Sequence, residues 1–215
     1  AISAREFLDP RSLSVAELAA RSGLKVFGEL PAEQAELPGK EENLLARSLP
    51  QSGVYVFTSP DADVDLEGAC LRIARALTFQ GVSAVLVGLS GCCEGSELDG
   101  YLMERQPSPQ PRTLEGGEQT IYRGKRDLAP SHYRSPQFLK LIEELRSGAE
   151  FVLILAPDLE SSVSADILAE QADGVVIVAD TRTYLGGLKK CCRRIENRAL
   201  GLVLAGTSAP FQGLE

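Results

Sequence analysis

The segment VYVFTSPDADVDLEGACLRIARALTFQGVSAVLVGLS at 54–90 constrains the fold of this chain more than any other. An apolar run at 54–58 is followed by a polar loop, an amphipathic stretch at about 67–80 and a second apolar run at 84–89. Two strands joined through a helix of that length make a parallel β–α–β unit. Within the amphipathic stretch, Cys70, Ile73, Ala74 and Leu77 fall on one face at helical spacing, so the helix is expected to cover a sheet. The run at 85–89 is apolar throughout, as a central strand covered on both faces requires.

The same alternation continues downstream. Helices are expected at 135–147, 164–172 and 184–197, and strands at 151–155, 174–179 and 200–205. Upstream, 40–48 reads as a helix with Leu44, Leu45 and Leu49 on its apolar side. Residues 1–31 read as a short helix, with Ser14 as its cap and Glu17 three positions on, followed by an edge strand at 24–30. Between the run at 84–89 and the helix at 135–147 lies a long polar insertion, 91–136, with a short helix at 97–104 and a strand at 119–123. The expected fold class is α/β, a doubly wound and mostly parallel sheet flanked by helices, formed by residues 1–215 as a single domain.

Composition narrows the function. The net charge of −8 argues against nucleic acid as the main partner, because such binding rests on clustered lysine and arginine. The basic run Lys189-Lys190 and Arg193-Arg194 is expected to be a solvated helix face. No apolar run reaches the length of about 18–20 residues that spans a bilayer, and no signal peptide is recognisable, so this piece is expected to be soluble. The chain starts at Ala1 and its single methionine is Met103, as in an excised part of a longer protein. The five cysteines, Cys70, Cys92, Cys93, Cys191 and Cys192, match no zinc spacing and suit a reducing compartment as small, half-buried residues.

The loop after the first strand, Ser59 to Gly68, carries Asp61, Asp63, Asp65 and Glu67. A phosphate-binding loop at this place is rich in glycine and ends in Gly-Lys-Ser/Thr, so the scaffold of such a site is present without its chemistry. Asp61, Asp63 and Asp65 also stand at positions 1, 3 and 5 of a calcium loop, weak candidates for a divalent ion. The pattern then fails at Leu66, where glycine should turn the chain, and at Arg72, where a bidentate glutamate is needed. An acidic turn capping the next helix explains the residues without metal. His132 has no recognisable catalytic partner. Ser161, Ser162 and Ser164 follow the strand at 151–155, at the edge where ligands bind in such sheets, and helix capping accounts for Ser164.

The order of segments resembles the deviant P-loop ATPase fold, and within it the bacterial tyrosine kinases attached to polysaccharide chain-length regulators. The fragments that carry the resemblance are SVAELAARSGLKVFGELP at 14–31, VYVFTS at 54–59, Gln80-Gly81, VLV at 85–87, SPQFLKLIEELRSGAEFVLILAP at 135–157, ADGVVIVADTRT at 172–183 and LGLVLAG at 200–206. The first of them is similar to the segment after the second membrane helix of such regulators. The resemblance implies a phosphate-binding lysine at Leu66, a magnesium-binding hydroxyl at Glu67, and loop glycines at Asp63 and Asp65. It implies carboxylates at Gly88 and Ser90 and at Leu155, and a base-holding asparagine at Ala205. A Glu-x-x-Arg-x-x-Arg assembly motif falls on Glu41, Leu44 and Arg47, without its middle arginine, and the closing tyrosine cluster is missing from APFQGLE.

With the lysine, hydroxyl and carboxylates missing together, the resemblance implies a pseudokinase with no catalytic residue and no cofactor. The expected role is a non-catalytic interaction domain of an exopolysaccharide or lipopolysaccharide chain-length or export regulator. It would sit at the cytoplasmic face of the bacterial inner membrane, held by an upstream segment, as a homo-oligomer with protein partners of the export system. The alternative is a nucleotide-binding tyrosine kinase or ATPase with an atypical site. Tyr101, Tyr122, Tyr133 and Tyr184 are the tyrosines a kinase elsewhere would find, though packing is their ordinary role.

Overall fold

The apolar runs pair side by side into one sheet with the strand order β1-β8-β7-β2-β6-β3-β5-β4. The computed structural model describes residues 20, 22–31, 38–89, 97–103, 109, 112–113, 120–123, 129–180, 183, 185–195 and 198–207. In chain order the elements are β1 (Val26–Pro31), α1 (Lys40–Ser48), β2 (Gly53–Thr58), α2 (Leu66–Phe79), β3 (Ala84–Gly88), α3 (Glu97–Leu102), β4 (Arg112–Thr113) and β5 (Thr120–Arg123). A 3-10 turn (Pro130–Arg134) leads into α4 (Pro136–Gly148), β6 (Phe151–Leu155), α5 (Ser164–Gln171), β7 (Gly174–Asp180), α6 (Leu185–Arg194) and β8 (Ala199–Thr207). Every strand pair is parallel except β4 with β5.

Alternating side chains of the central strands feed two cores. Val54, Val56, Val152, Ile154, Val175 and Ile177 face α4, α5 and α6. Tyr55, Phe57, Leu153, Leu155, Val176 and Val178 face α1 and α2. Because both faces are covered, the strands must be apolar at every position, which is why they read as unbroken runs. Helices therefore form the outer layers and the sheet the middle one.

Local chemistry sets the helix limits. Ser135 caps α4, its Oγ accepting from the Phe138 amide (3.2 Å), and Pro136 takes the first-turn position where no amide is needed. α2 ends at Phe79 with Gln80 as its C-terminal cap, and Gly81 follows at φ 79°, a left-handed conformation that glycine adopts without a Cβ penalty. α1 lies over α2 and β1, where Arg72 of α2 joins all three. It donates to the Glu42 carboxylate and to the Pro31 carbonyl, with side chains only 10% (Arg72) and 7% (Glu42) exposed.

Several expectations move. The edge strand expected at 24–30 spans Val26–Pro31, and it does lie at the edge of the sheet. The helix expected at 97–104 spans Glu97–Leu102, and that at 184–197 spans Leu185–Arg194. The insertion at 91–136 is partly sheet, since β5 pairs with β3 and β4 with β5. The Ser14 cap, Cys92, Cys93 and Ser90 lie outside the described residues. Ser164 is not a cap. Val163 occupies that position with helical backbone and no side-chain bond, and the Ser164 amide is taken by Ser162 Oγ (3.0 Å).

Candidate functional site

The C-terminal ends of β2, β6 and β7 come together where crossovers from β2 and β6 diverge, the position at which doubly wound sheets hold ligands. Here the ends of β2 and β6 are hydrogen-bonded across. The Ala156 amide donates to the Phe57 carbonyl (2.9 Å), Thr58 Oγ1 to the Pro157 carbonyl (2.8 Å), and the Leu159 amide to the Ser59 carbonyl (2.9 Å). Leu89, after β3, donates to the Leu155 carbonyl (2.9 Å).

The loop from Ser59 to Asp65 is folded onto itself. Ser59 Oγ donates to the Asp61 carbonyl (2.7 Å), and the Asp63 amide donates to Asp61 Oδ1 (3.3 Å). Val64 and Leu66 point into the core beneath α1 and α2, with Leu66 8% exposed. Leu66, where the resemblance leads one to expect a phosphate-binding lysine, is thus part of the hydrophobic interior. At the start of α2, Asp65 Oδ1 accepts from the Gly68 amide (2.9 Å). A helix N-terminus attracts anions through its free amides and dipole, and here one of those amides is held by a carboxylate of the chain itself. Glu67 is half-buried in that first turn.

Among the described residues several carboxylates lie around this mouth. Burial pushes the Asp61 carboxyl above its usual range. The hydrogen bond from Asp63 opposes the rise, and the Asp180, Asp63 and Asp158 carboxylates add to it. Sequence reasoning singles out Asp61, Asp63 and Asp65 but not Asp158 or Asp180. Their signal is positional, since Asp180 is the last residue of β7 and Asp158 follows β6 by three residues. Asp158 accepts from the Ser161 amide (2.8 Å) and from Ser161 Oγ (2.6 Å), and Thr183 Oγ1 donates to Asp180 Oδ1 (3.1 Å).

Of the other expected positions, Gly88 ends β3, Leu155 ends β6 and Ala205 lies in β8, all buried. Among the described residues no group of three or more His, Cys, Asp and Glu side chains is arranged to hold a metal ion. Glu41, Leu44 and Arg47 recur every third residue along α1. The buried face is instead Glu42, Leu45 and Ala46, and Leu44 is 52% exposed. His132 is half-buried in the 3-10 turn, with its Nδ1 3.1 Å from the Ala129 carbonyl. Burial raises the Cys70 thiol well above its usual range and pushes Cys191 up to about 11, so neither is a thiolate at neutral pH. Arg194 departs from the expected solvated face. It donates to the Leu159 and Ser162 carbonyls and pairs with Asp166, tying α6 to α5.

Compared by sequence, neither a family model nor a curated protein matches this chain. Its structure is similar to the chimerical protein CapA2B2, with a TM-score of 0.79 at 17% identity over 91% of this chain and 99% of that one. It is also similar to the kinase domain of the Escherichia coli tyrosine kinase Etk, with a TM-score of 0.76 at 11% identity over 94% and 100%. The BceF tyrosine kinase domain gives a TM-score of 0.78 at 14% identity over 91% and 99%. The fold is therefore that of the bacterial tyrosine kinase domains, a mostly parallel P-loop-type sheet between helical layers.

Proposed function

We propose that this domain keeps the tyrosine-kinase fold as a non-catalytic interaction module, a pseudokinase that works by assembly and partner contact without ATP. One observation carries the reading: the Asp65 carboxylate bonds the first turn of α2, where a phosphate would have to sit, while Leu66 is buried. An incoming polyphosphate would have to displace that carboxylate and approach Asp61, Asp63, Asp158 and Asp180, whose negative charges repel it. Gly88, Leu155 and Ala205 supply neither the carboxylates nor the amide that the resemblance leads one to expect.

The wider setting belongs to the same proposal. The module acts in a polysaccharide chain-length or export system, on the cytoplasmic face of the bacterial inner membrane, through an upstream anchor. No helix of the described residues is long and apolar enough to cross a membrane. The exposed face of α1, with Glu41, Leu44 and Arg47, is a candidate assembly surface.

A thermal-shift titration with Mg-ATP tests the reading. Ligand at about 100 times its dissociation constant would stabilise the fold by about 2.7 kcal/mol, several degrees for a domain of this size. The expected result is no shift. A rise that disappears when residues 61–67 are substituted would instead establish the alternative, a kinase or ATPase with an atypical site.

A further inference from the structure

α6 has one face in the core, through Leu188, Cys191 and Ile195. Its opposite side presents Gly186, Lys189, Lys190, Arg193 and Arg194, which line an open groove of about 450 Å³. Spacings of three and four positions gather them into one stripe along the helix. Arg194 turns back to Asp166, but Lys189, Lys190 and Arg193 are exposed and make no ion pair among the described residues. In and before α4, by contrast, exposed cations are held by carboxylates: Arg134 by Glu170, Lys140 by Glu144 and Arg146 by Asp173. The helix dipole accounts for cations in the last turn and has little effect on Lys189 and Lys190 farther back.

We propose that this stripe docks on a bilayer surface, with Lys189, Lys190 and Arg193 at the headgroup phosphates of anionic lipid. Shape favours that occupant. A small-molecule site encloses most of its ligand, whereas this groove is open and its cations stand along one exposed helix, as a flat anionic surface requires. The path of the chain favours it too. The Ile195 carbonyl, just past α6, accepts from the Arg198 and Ala199 amides (2.8 and 3.1 Å), which turns the chain into β8. The start of β8 in turn holds the start of β1, where the Leu202 amide donates to the Lys25 carbonyl (2.8 Å). The last turn of α6 and the point where the chain enters the sheet therefore lie at the same end of β8. An anchor upstream of β1 would bring that end to the bilayer and raise the effective concentration of a contact that is weak by itself. The net charge of −8 does not oppose the contact, because at physiological salt the screening length is about 8 Å and the surface feels the charges nearest to it. Asp166 is taken by Arg194, and Glu160, which acts on the Cys191 thiol, offsets one of three free cations. The inference rests on the reading that places the domain at the membrane through an upstream anchor.

Co-sedimentation with vesicles tests it, in a titration to millimolar lipid, with far-UV circular dichroism confirming that each variant is folded. Vesicles of equal parts phosphatidylglycerol and phosphatidylcholine should pellet the wild type at low salt and release it at about 1 M salt, where the screening length is about 3 Å. Vesicles of phosphatidylcholine alone should not pellet it. Each lysine or arginine near an anionic surface contributes about fivefold, so Lys189→Ala, Lys190→Ala and Arg193→Ala together should weaken binding by about a hundredfold. Arg134→Ala with Lys140→Ala removes two cations that carboxylates already hold, and this variant should bind as the wild type does. No binding to phosphatidylglycerol, equal binding to both kinds of vesicle, or a stripe variant that pellets like the wild type each overturns the contact. Binding to a poly-glutamate peptide but not to vesicles overturns it as well, in favour of an acidic protein partner. Fractionation of the full-length protein separates this inference from the reading beneath it. A full-length protein absent from the membrane pellet removes the location and the contact together, whereas one that pellets while the chain ignores vesicles removes only the contact.

Discussion

Arg72 holds one end of the molecule together through partners that lie far from it in sequence. Burial alone would raise the Glu42 carboxyl, but the hydrogen bonds and charge of Arg72, with backbone amides, hold it below its ordinary value of 4.5. A lowered carboxyl pKa adds stability that is complete above the unfolded value and is lost as pH falls through the folded one. Urea titrations should therefore show wild-type stability declining below about pH 4.5, with a flatter acid limb in Arg72→Met. At neutral pH, removing one partner of so buried a pair should cost about 3 kcal/mol, read as a lower urea midpoint. Asp61 has the opposite sign. Its raised pKa means that ionisation at neutral pH costs stability, an effect absent once the group is protonated. Asp61→Asn, whose side-chain oxygen can still accept from the Asp63 amide, should melt higher at pH 7 and lose that advantage in acid. In the sequence Arg72 only marks the failure of a calcium pattern. Its partner lies 30 positions away, and no periodicity or local motif encodes an ion pair at that separation.

Among the elements, β8 shows how closely strands must approach to close the sheet. A Cβ at Gly201 would fall 2.6 Å from the Lys25 carbonyl oxygen and 2.9 Å from the Phe27 ring. That carbonyl accepts from the Leu202 amide (2.8 Å), so the backbone cannot retreat without losing the start of the β1–β8 ladder. Gly201→Ala should cost about 1–3 kcal/mol, measurable by thermal or urea unfolding. The central strands are legible in the sequence because burial on two faces writes itself into composition. β4 is not, since a strand of two exposed residues at the sheet edge leaves no such mark. The true boundary of α5 is hidden for another reason. Ser162 and Ser164 look equally fit to cap, and only the backbone at Val163 decides where the helix begins. The site is legible in part. The acidic loop can be read directly, but Asp158 and Asp180 join it only through the pairing of β2 with β6 and β7.

At the scale of the whole molecule, two cores share one sheet, and the sheet's centre is better protected than its edges. β2, β6 and β7 are paired on both sides, whereas among the described residues β1 and β4 each have a single neighbour. Native-state hydrogen exchange should therefore find the slowest amides in β2, β6 and β7 and markedly faster ones in β1 and β4. Equal protection across the sheet would mean that it opens only by global unfolding. The capped start of α2 has a wider consequence. A nucleotide-driven domain alternates between loaded and empty shapes, and it owes its timing to the cell's energy charge. On the proposed reading this domain carries its anion covalently, so it has no empty state and no clock. What remains to govern it is which partners are present and in what number.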